Sequence, residues 1–523
     1  MTVRLPRPCG RRARPPTRHR GLTRPWRAGA VARAAVAIGL LALAPTTLTL
    51  LALVPSVAAD PLPLPLPIST SESLLEQFGY APEYQRHVTV FDDANAPVIR
   101  SRTSSQHDTL YAAFLEDGLW RQSSFDGALR TTYPEFAGYM GAGGFASDRV
   151  VTDTSGRLYS VLTVRLEDGG FRNALLYSTD RGATWGVVRL PFGGRLRSMA
   201  RPDRGNVACE TPTGGRSIDG PPLIAVWFEI GDWIGADATQ NALYVTRPYW
   251  QDGTIIVPEP VLVTSRFLGM VQSAGGTSFA TTVGDKTYFT WTQVRSVLTL
   301  GTPTYVGVYD HASGTVTQRV RAAWGHPINS CHCTPALAID GRGIIHLIAG
   351  AHGRPFRYTH SVRPLDMSAW TPAVKVLDSG YWTTETDADG VGKQTYASLV
   401  CGPDDALHLV FRQTRRSRGG PFPYEGYHAL SYQTRPPGGG WSKARMLAYA
   451  SDSPDYTNFY QKLTADRGGR LYISFNVYRH VDVPLAYREL RRFRYRMVWS
   501  SDDGVSWQFA TTGDFAGRAL PDD

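Results

Sequence analysis

Four side chains in the second half of the chain could together move protons beside a carboxylate: His332, His352, Tyr396 and Arg412. A guanidinium is planar and permanently charged, so Arg412 could pair both oxygens of a carboxylate and stabilise charge that develops there. Imidazole has a pKa of about 6.5, and an adjacent guanidinium brings a phenol down from its usual pKa of about 10. Both groups can therefore donate and accept protons.

Each of these side chains has a simpler interpretation when it is considered alone. A strand-end arginine is commonly a surface ion-pair partner, a tyrosine commonly packs in a core, and a loop histidine commonly bonds to its neighbours. His346 and His408 are interpreted as structural, because each stands in a repeated strand where other copies have tyrosine. The functional interpretation therefore depends on the four residues occurring together.

Residues 325–475 contain several motifs in a fixed order. They are Ser330-Cys-His-Cys-Thr-Pro-Ala-Leu-Ala-Ile-Asp340, Ile345-His-Leu-Ile-Ala-Gly-Ala-His352, Arg357-Tyr358, Ser361-Val-Arg-Pro364 with Trp370, Gln394-Thr-Tyr-Ala-Ser-Leu-Val-Cys-Gly-Pro-Asp-Asp405 and Leu407-His-Leu-Val-Phe-Arg412. In this order and spacing the motifs resemble the BNR-repeat polysaccharide lyases, whose characterised members are ulvan lyases. The first 320 residues resemble that family only in their repeat architecture.

The resemblance implies a lyase that cleaves a uronic-acid-containing polysaccharide by β-elimination and requires no cofactor for its chemistry. The residues that it assigns to the site are His332, His352, Tyr396 and Arg412 as catalytic, with Tyr456 and Arg357 as substrate-binding. Arg412 would neutralise the uronate, Tyr396 and His332 would transfer protons, and His352 would orient the substrate or polarise its carboxylate. The choice of base among Tyr396, His332 and His352 stays open, as do the particular uronate, its sulfation, and endo or exo action.

The elements that would position these residues form a repeat of about 60 residues. An alternating strand follows a turn of Asp, Gly or Ser character in seven segments: Thr109–Phe114, Arg157–Leu162, Pro222–Phe228, Lys286–Trp291, Ile344–Ala349, Ala406–Phe411 and Arg470–Phe475. Sixty residues accommodate four strands and their loops, and one such unit can bury its faces only against its neighbours. The sequence therefore predicts an all-β fold, a seven-bladed β-propeller.

Two segments share the pattern Ser-x-Asp-x-Gly-x-Thr/Ser-Trp: Ser178–Trp185 and Ser500–Trp507. They resemble the Asp boxes of BNR repeats. The Asp carboxylate can accept backbone N–H bonds, Gly permits a positive φ, and Trp can pack beneath the turn. We interpret them as structural hairpin turns away from the active site.

The amino-terminal residues are typical of an export leader. Ten arginines lie within the first 33 residues, no acid precedes Asp60, and an apolar stretch runs from Ala34 to Ala59. We predict a signal peptide over residues 1–59, a Pro-rich linker over 60–70, and a single propeller domain over 71–523. Export by the general or the twin-arginine route, and an uncleaved anchor, are the alternatives.

Cleavage would remove the positive charge of the whole chain. Ten of the 55 Lys and Arg residues belong to the leader, which leaves 45 against 45 Asp and Glu. The basic balance is thus no evidence for nucleic-acid binding. We expect a secreted, extracellular monomer without stable membrane insertion, whose partner is an acidic polysaccharide.

Four cysteines lie outside the leader, and three of them are close to the catalytic candidates: Cys331, Cys333 and Cys401. On an extended strand Cys331 and Cys333 would share the face opposite His332. A structural Zn²⁺ site on the three thiols is one possibility, and a disulfide that involves Cys401 or Cys209 is equally possible. Calcium held by loop acids is a further alternative.

Two other functions fit parts of the pattern. A sialidase-like glycoside hydrolase shares the Asp boxes, but it would need an arginine triad and catalytic carboxylates that the matching segments do not supply. A non-catalytic carbohydrate-binding propeller could use the same arginines and aromatic residues to hold a sugar.

Overall fold

The computed structural model of this 523-residue chain describes most of the chain from residue 64 onward. The described residues are 64, 66–68, 90–92, 95–102, 110–116, 119–139, 150–190, 207–211, 218–234, 238–270, 279–296, 298–376, 393–416, 426–450, 457–458, 461–479, 494–500 and 502–509. All of them belong to one compact unit, Ala59–Asp523. The predicted signal peptide lies outside the described residues. In the described part, no helix is long and apolar enough to cross a membrane.

The fold is nearly all-β, which confirms that part of the prediction. The described strands form seven sheets of four to six strands and one two-stranded sheet. We number the seven larger sheets 1 to 7 in chain order.

The first half of the chain contributes a short first strand, sheets 1 to 3 and one helix. The first strand is β1, Leu66–Ile68. Sheet 1 consists of β2 Val90–Phe91, β3 Pro97–Arg102, β4 Leu110–Glu116 and β5 Leu119–Ser124. The helix is α1, Asp126–Thr132. Sheet 2 consists of β6 Phe136–Tyr139, β7 Val151–Thr152, β8 Leu158–Leu166, β9 Phe171–Ser178 and β10 Gly186–Arg189. Sheet 3 consists of β11 Val207–Cys209, β12 Ile224–Trp233, β13 Thr239–Thr246 and β16 Val261–Phe267, and the two-stranded sheet of β14 Tyr249–Gln251 and β15 Thr254–Ile256.

The second half contributes sheets 4 to 7. Sheet 4 consists of β17 Ala280–Val283, β18 Lys286–Thr292, β19 Pro303–Asp310 and β20 Thr315–Trp324. Sheet 5 consists of β21 Ala336–Ile339, β22 Ile345–Ala349, β24 Arg357–Arg363, β25 Asp366–Trp370 and β26 Val374–Lys375. Sheet 6 consists of β23 His352–Arg354, β27 Lys393–Cys401, β28 Leu407–Arg416, β29 Gly426–Arg435 and β30 Arg445–Ala450, together with β1. Sheet 7 consists of β31 Thr457–Asn458, β32 Lys462–Ala465, β33 Leu471–Arg479, β34 Arg494–Ser500 and β35 Gln508–Phe509.

Each of the seven repeated segments supplies a strand inside a different sheet. These strands are β4, β8, β12, β18, β22, β28 and β33. Central strands have neighbours on both sides, which is why the segments carry β-branched and aromatic residues at buried positions. The repeat thus marks the inner part of each sheet.

The hydrophobic core is divided into clusters that lie between consecutive sheets. Trp291 of sheet 4 packs with Phe267 of sheet 3, and Phe411 of sheet 6 packs edge-on against Phe356 beside sheet 5. The last sheet also contacts the first, since the rings of Phe91 and Tyr472 are 4.8 Å apart. Each sheet therefore buries its faces against its neighbours, as a repeat that cannot fold alone requires.

Both Asp boxes form hairpin turns with the expected hydrogen bonds. In the first, Asp180 Oδ1 accepts the Thr184 N–H at 2.9 Å, and Gly182 has a φ of +97°. In the second, Asp502 Oδ1 accepts the Ser506 N–H at 2.8 Å, and Trp507 is 1% exposed beneath the turn. The turns join β9 to β10 and β34 to β35.

Part of the segment predicted as a linker is a strand. Residues 66–68 pair in parallel with Ala448–Ala450 at the edge of sheet 6. An edge position tolerates Pro67, because a proline has no N–H to donate to a second neighbour. The Pro-rich composition therefore did not distinguish a free linker from an edge strand over these three residues.

Buried histidines should make the fold sensitive to mild acid. Burial lowers the pKa of His346, and that of His311, to about 4. An unfolded histidine has a pKa of about 6.5, so between these values the unfolded chain binds more protons and stability rises with pH. We expect the melting temperature, followed by circular dichroism at constant ionic strength, to fall as the pH is lowered from about 6.5 to about 4.

The matched control is the variant H311Q/H346Q, which cannot take up these protons. Its melting temperature should depend less steeply on pH in the same window. Asp340 contributes in a lower window, because its hydrogen bond with Arg342 is among the interactions that lower its pKa below the usual value. An unchanged slope in the double variant would show that other groups cause the acid sensitivity.

Candidate active site

Three neighbouring strands place three of the four catalytic candidates side by side. In β23 and β27, His352 pairs with Thr395, and in β27 and β28, Thr395 pairs with Arg412. Tyr396 follows Thr395 directly. The pairing therefore brings residues that are 60 positions apart in sequence into one row at one end of sheet 6.

The backbone at Tyr396 has a left-handed conformation, with a φ of +66°. The strand register shifts between Thr395 and Ser398, so the residue stands in a bulge of β27. Its carbonyl oxygen accepts a hydrogen bond of 2.5 Å from the side-chain amide of the buried Gln461. A non-glycine residue with this φ costs roughly 1 to 3 kcal/mol and persists only where its surroundings impose it.

Tyr396 and Arg412 pack directly against each other. The guanidinium carbon of Arg412 lies 4.7 Å from the centre of the Tyr396 ring. The two residues are only 5% and 3% exposed, respectively. A guanidinium held in such a water-poor place acts on nearby charge more strongly than one at the surface.

The two histidines complete the group, and His332 is the one next to the tyrosine. The ring centre of His332 is 5.5 Å from that of Tyr396 and 4.6 Å from that of His352. Both imidazoles are half-buried. The four catalytic candidates therefore form one contiguous cluster in the order Arg412, Tyr396, His332, His352.

Ser330 connects the two imidazoles, and the sequence did not single it out. Its Oγ lies 3.3 Å from Nδ1 of His332 and 3.1 Å from Nδ1 of His352, and it accepts the backbone N–H of His332 at 3.2 Å. A hydroxyl has one hydrogen and two lone pairs. It can therefore donate to one imidazole while it accepts from the other, which gives the two rings opposite tautomers.

Of the two predicted substrate-binding residues, Tyr456 and Arg357, the structure describes only Arg357. Tyr456 lies outside the described residues. Arg357, at the start of β24, lines a cavity of about 620 Å³ rather than the histidine cluster. The cavity is lined by Leu300, Arg321, Ala322, Ala323, Trp324, Gly325, His326, Pro327, Arg354, Pro355, Arg357, Trp370, Thr371, Pro372, Ala373 and Lys375.

The lining of this cavity is basic and aromatic. It includes three arginines and a lysine and no acidic residue, and the guanidinium of Arg321 lies 4.4 Å from the centre of the Trp324 ring. Burial, followed by the positive charges of Arg354 and Arg295, lowers the pKa of His326 to about 4. Arg354 shares β23 with His352, so the cavity begins two residues from the catalytic cluster.

The predictions for the cysteines were wrong in their geometry. Residues 331 and 332 form a turn, and β21 begins only at Ala336, so strand alternation does not apply to Cys331 and Cys333. Cys209, Cys331, Cys333 and Cys401 are all buried, and the choice between a disulfide and a metal site on them stays a prediction. Among the described side chains, the group close enough to share an ion contains no cysteine; it consists of Asp404, His408 and Asp503.

Comparisons with known proteins agree with the repeat interpretation. Residues 286–519 match the family described as BNR repeat-containing family member. This range is somewhat less than half of the chain, and it contains the whole segment 325–475. No curated protein matches the sequence.

Solved structures with a similar fold include polysaccharide lyases and a sialidase. The polysaccharide lyase Uly1 is 17% identical with a TM-score of 0.31, and the match covers 45% of this chain and 54% of that one. An ulvan lyase of family PL25, bound to -[GlcA(1-4)Rha3S]-, is 13% identical with a TM-score of 0.25 over 44% of this chain and 70% of that one. The sialidase of Trypanosoma rangeli is 14% identical with a TM-score of 0.38 over 68% and 54%. This chain spans about half of the first and the third of these proteins.

Proposed function

We propose that this chain, whose residues 286–519 match the BNR repeat-containing family, is a secreted lyase that cleaves a uronic-acid-containing, ulvan-like polysaccharide by β-elimination. The observation that carries the proposal is that the Tyr396 ring contacts both a guanidinium and an imidazole. A buried cation next to two kinds of proton carrier suits chemistry at a carbon beside a carboxylate.

The elimination needs three events at one sugar. A base removes the C5 proton, and the electron pair left behind is delocalised into the adjacent carboxylate. The C4–O4 bond then breaks, a C4–C5 double bond forms, and the departing O4 takes a proton. No oxidant or co-reactant is required, and the products are one chain end with an unsaturated uronate and one new hydroxyl.

The four residues divide these tasks. Arg412 pairs the uronate carboxylate and stabilises the charge that develops on it. Tyr396 removes the C5 proton and returns a proton to O4, with His332 as its exchange partner 5.5 Å away between ring centres. His352 orients the substrate, and Ser330 keeps the two imidazoles in complementary tautomers.

The fold and the amino terminus support the other two parts of the proposal, the propeller and export. The seven sheets pack in chain order and the seventh contacts the first, which supports a seven-bladed propeller made by residues 71–523. Export of the mature chain by a signal peptide over residues 1–59 follows from the arginine-rich and apolar amino terminus.

The basic cavity extends the proposal to the polysaccharide chain beyond the cleaved bond. Arg321, Arg354, Arg357 and Lys375 would face carboxylate or sulfate groups, and Trp324 and Trp370 would pack against sugar rings. Exposed arginines each contribute less than about 1 kcal/mol to such contacts. The cavity should therefore set affinity rather than the rate of the chemical step.

The variant R354A/R357A tests this role. We expect KM for an acidic polysaccharide to rise roughly 10-fold, with kcat little changed and with a weaker dependence of KM on salt. Arg172, exposed on β9 of sheet 2, supplies the matched control R172A. Equal KM values for the double variant and the control would show that the cavity does not bind the substrate.

The reaction class is tested by product chemistry. The purified secreted protein should be incubated with ulvan, glucuronan and glycosaminoglycans while ultraviolet absorbance is followed. Elimination creates a conjugated, absorbing uronate, whereas hydrolysis gives new reducing ends without absorbance, and simple binding gives neither. Absorbance with at least one polymer is expected; reducing ends alone would instead indicate a glycoside hydrolase.

A further inference from the structure

A second chemical group lies outside the cluster described above, where a turn of sheet 6 meets the second Asp box. Asp404 stands in the turn between β27 and β28, and Asp503 stands in the box between β34 and β35. Both carboxylates are exposed, and the buried His408 lies between them. The ligand atoms of the three side chains are all within 4.8 Å of one another.

The hydrogen bonds of His408 determine which of its nitrogens carries the hydrogen. The hydroxyl of Tyr432 donates its one hydrogen to the backbone carbonyl of Asp503 at 3.0 Å. Nδ1 of His408 is 2.7 Å from the hydroxyl oxygen of Tyr432. Because the hydrogen of that hydroxyl is already used, Nδ1–H must donate to the oxygen. With its hydrogen on Nδ1, the neutral imidazole keeps a lone pair on Nε2.

That lone pair has no partner among the described residues. His408 is 1% exposed, and its Nε2 is buried without a hydrogen bond. A Cβ built on Gly402 would lie 2.9 Å from Nε2 and 2.8 Å from Asp404 Oδ1, so both atoms crowd the same place beside this glycine. A buried acceptor that faces carboxylates is unfavourable unless a positive charge lies between them.

Other repeats fill this position differently. In sheets 2 and 7 the ring equivalent to His408 is Tyr159 or Tyr472. A buried aspartate six residues earlier, Asp153 or Asp466, accepts a hydrogen bond from its hydroxyl. In sheet 5 the equivalent Asp340 lies 3.4 Å from His346 and is also paired with Arg342 at 2.6 Å. Sheet 6 has Gly402 here, which has no side chain to pair with the ring, and Asp404 Oδ1 lies beside this glycine.

The second Asp box also differs from the first at one position. The left-handed residue before the box glycine is Arg181 in the first box and Asp503 in the second. Arg181 forms an ion pair with Asp92 of sheet 1 at 2.8 Å. Asp503 instead lies close to a second carboxylate, that of Asp404.

We propose that Asp404, His408 and Asp503 bind a divalent transition-metal cation of the Zn²⁺ class, which links the β27–β28 turn to the second Asp box. One imidazole nitrogen and two carboxylates are a ligand set that Zn²⁺ accepts, with water completing the coordination, and the nitrogen disfavours Ca²⁺ and Mg²⁺. The site is separate from the cysteines and takes no part in the elimination. Its expected effect is to stabilise the contact between sheets 6 and 7.

Zinc binding to the full chain tests this site. After treatment with a chelator and its removal, we expect one equivalent of Zn²⁺ to bind and to raise the melting temperature by about 3 °C at saturating metal. D404N and D503N should each lose both effects; the two side chains are exposed, so the variants should fold. D252N is the matched control, because Asp252 is also an exposed turn residue with a positive φ.

Cobalt distinguishes this site from a cysteine site. Bound Co²⁺ should show ligand-field absorption without a thiolate charge-transfer band, and the signal should vanish in D404N/D503N. H408Q should weaken binding while the carboxylates remain. A thiolate band, or Zn²⁺ binding by D404N/D503N equal to that of the unsubstituted protein, would overturn the proposal.

Discussion

R412A is expected to lower kcat/KM on a uronate polymer by about 10³-fold, measured as the initial rate of absorbance increase. The side chain is 3% exposed and lies against the Tyr396 ring, so no solvent cation can replace it. Removal of one preorganised group that stabilises developing charge costs roughly 10² to 10³ in rate, and a permanent positive charge is at the upper end. Most of the loss should appear in kcat, because the charge on the carboxylate grows along the reaction.

One further variant separates charge from geometry. R412K keeps the positive charge but loses the planar fork, so its rate should lie between those of R412A and the unsubstituted protein. Circular dichroism and a thermal melt are needed for each variant, because a buried arginine also packs. R412A with a native spectrum and a rate within 10-fold of normal would remove Arg412 from the mechanism.

The sequence was most informative where structure depends on local chemistry. The seven repeated strands and the turns at Asp180 and Asp502 were predicted because each follows from alternation, glycine and a short polar pattern. The choice of His332, His352, Tyr396 and Arg412 came from motif order, and the structure places them in one cluster. Their roles stay predictions until variants are measured.

The features that sequence did not predict all depend on distant contacts. The positive φ of Tyr396 is imposed by a register shift and by Gln461, which is 65 residues later. Ser330 joins two histidines only because β23 turns back beside residues 330–332. The cysteines were placed on a strand because the segment was assumed to be extended, whereas the chain turns there.

The position of His408 illustrates the same limit. Its interpretation as structural, made from the repeat, agrees with the bond from Nδ1 to Tyr432. Its second nitrogen becomes a candidate metal ligand only because Asp503, beside a different sheet, lies close to it. Gly402 stands where three other repeats have an aspartate. This difference is recognised only when the repeats are aligned on the structure.

Y396F is the sharpest test of the proton transfer. The change removes one oxygen and keeps the ring that packs on Arg412 and His332, so both neighbours should hold their positions. Loss of a positioned general acid or base lowers the rate by roughly 10² to 10⁴, and we expect kcat to fall within this range while KM changes little. The exposed Tyr249 supplies the matched control Y249F, which should have normal kinetics.

The comparison of Y396F with H332A then assigns the base. If the phenol removes the C5 proton, Y396F should lose activity at every pH, whereas H332A should mainly lose the limb of the pH profile that imidazole produces. The left-handed backbone at Tyr396 accompanies a ring that lies against both Arg412 and His332. Near-normal kcat in Y396F with a 10²-fold or greater loss in H332A would move the base to the histidine and leave Tyr396 as a residue that positions Arg412.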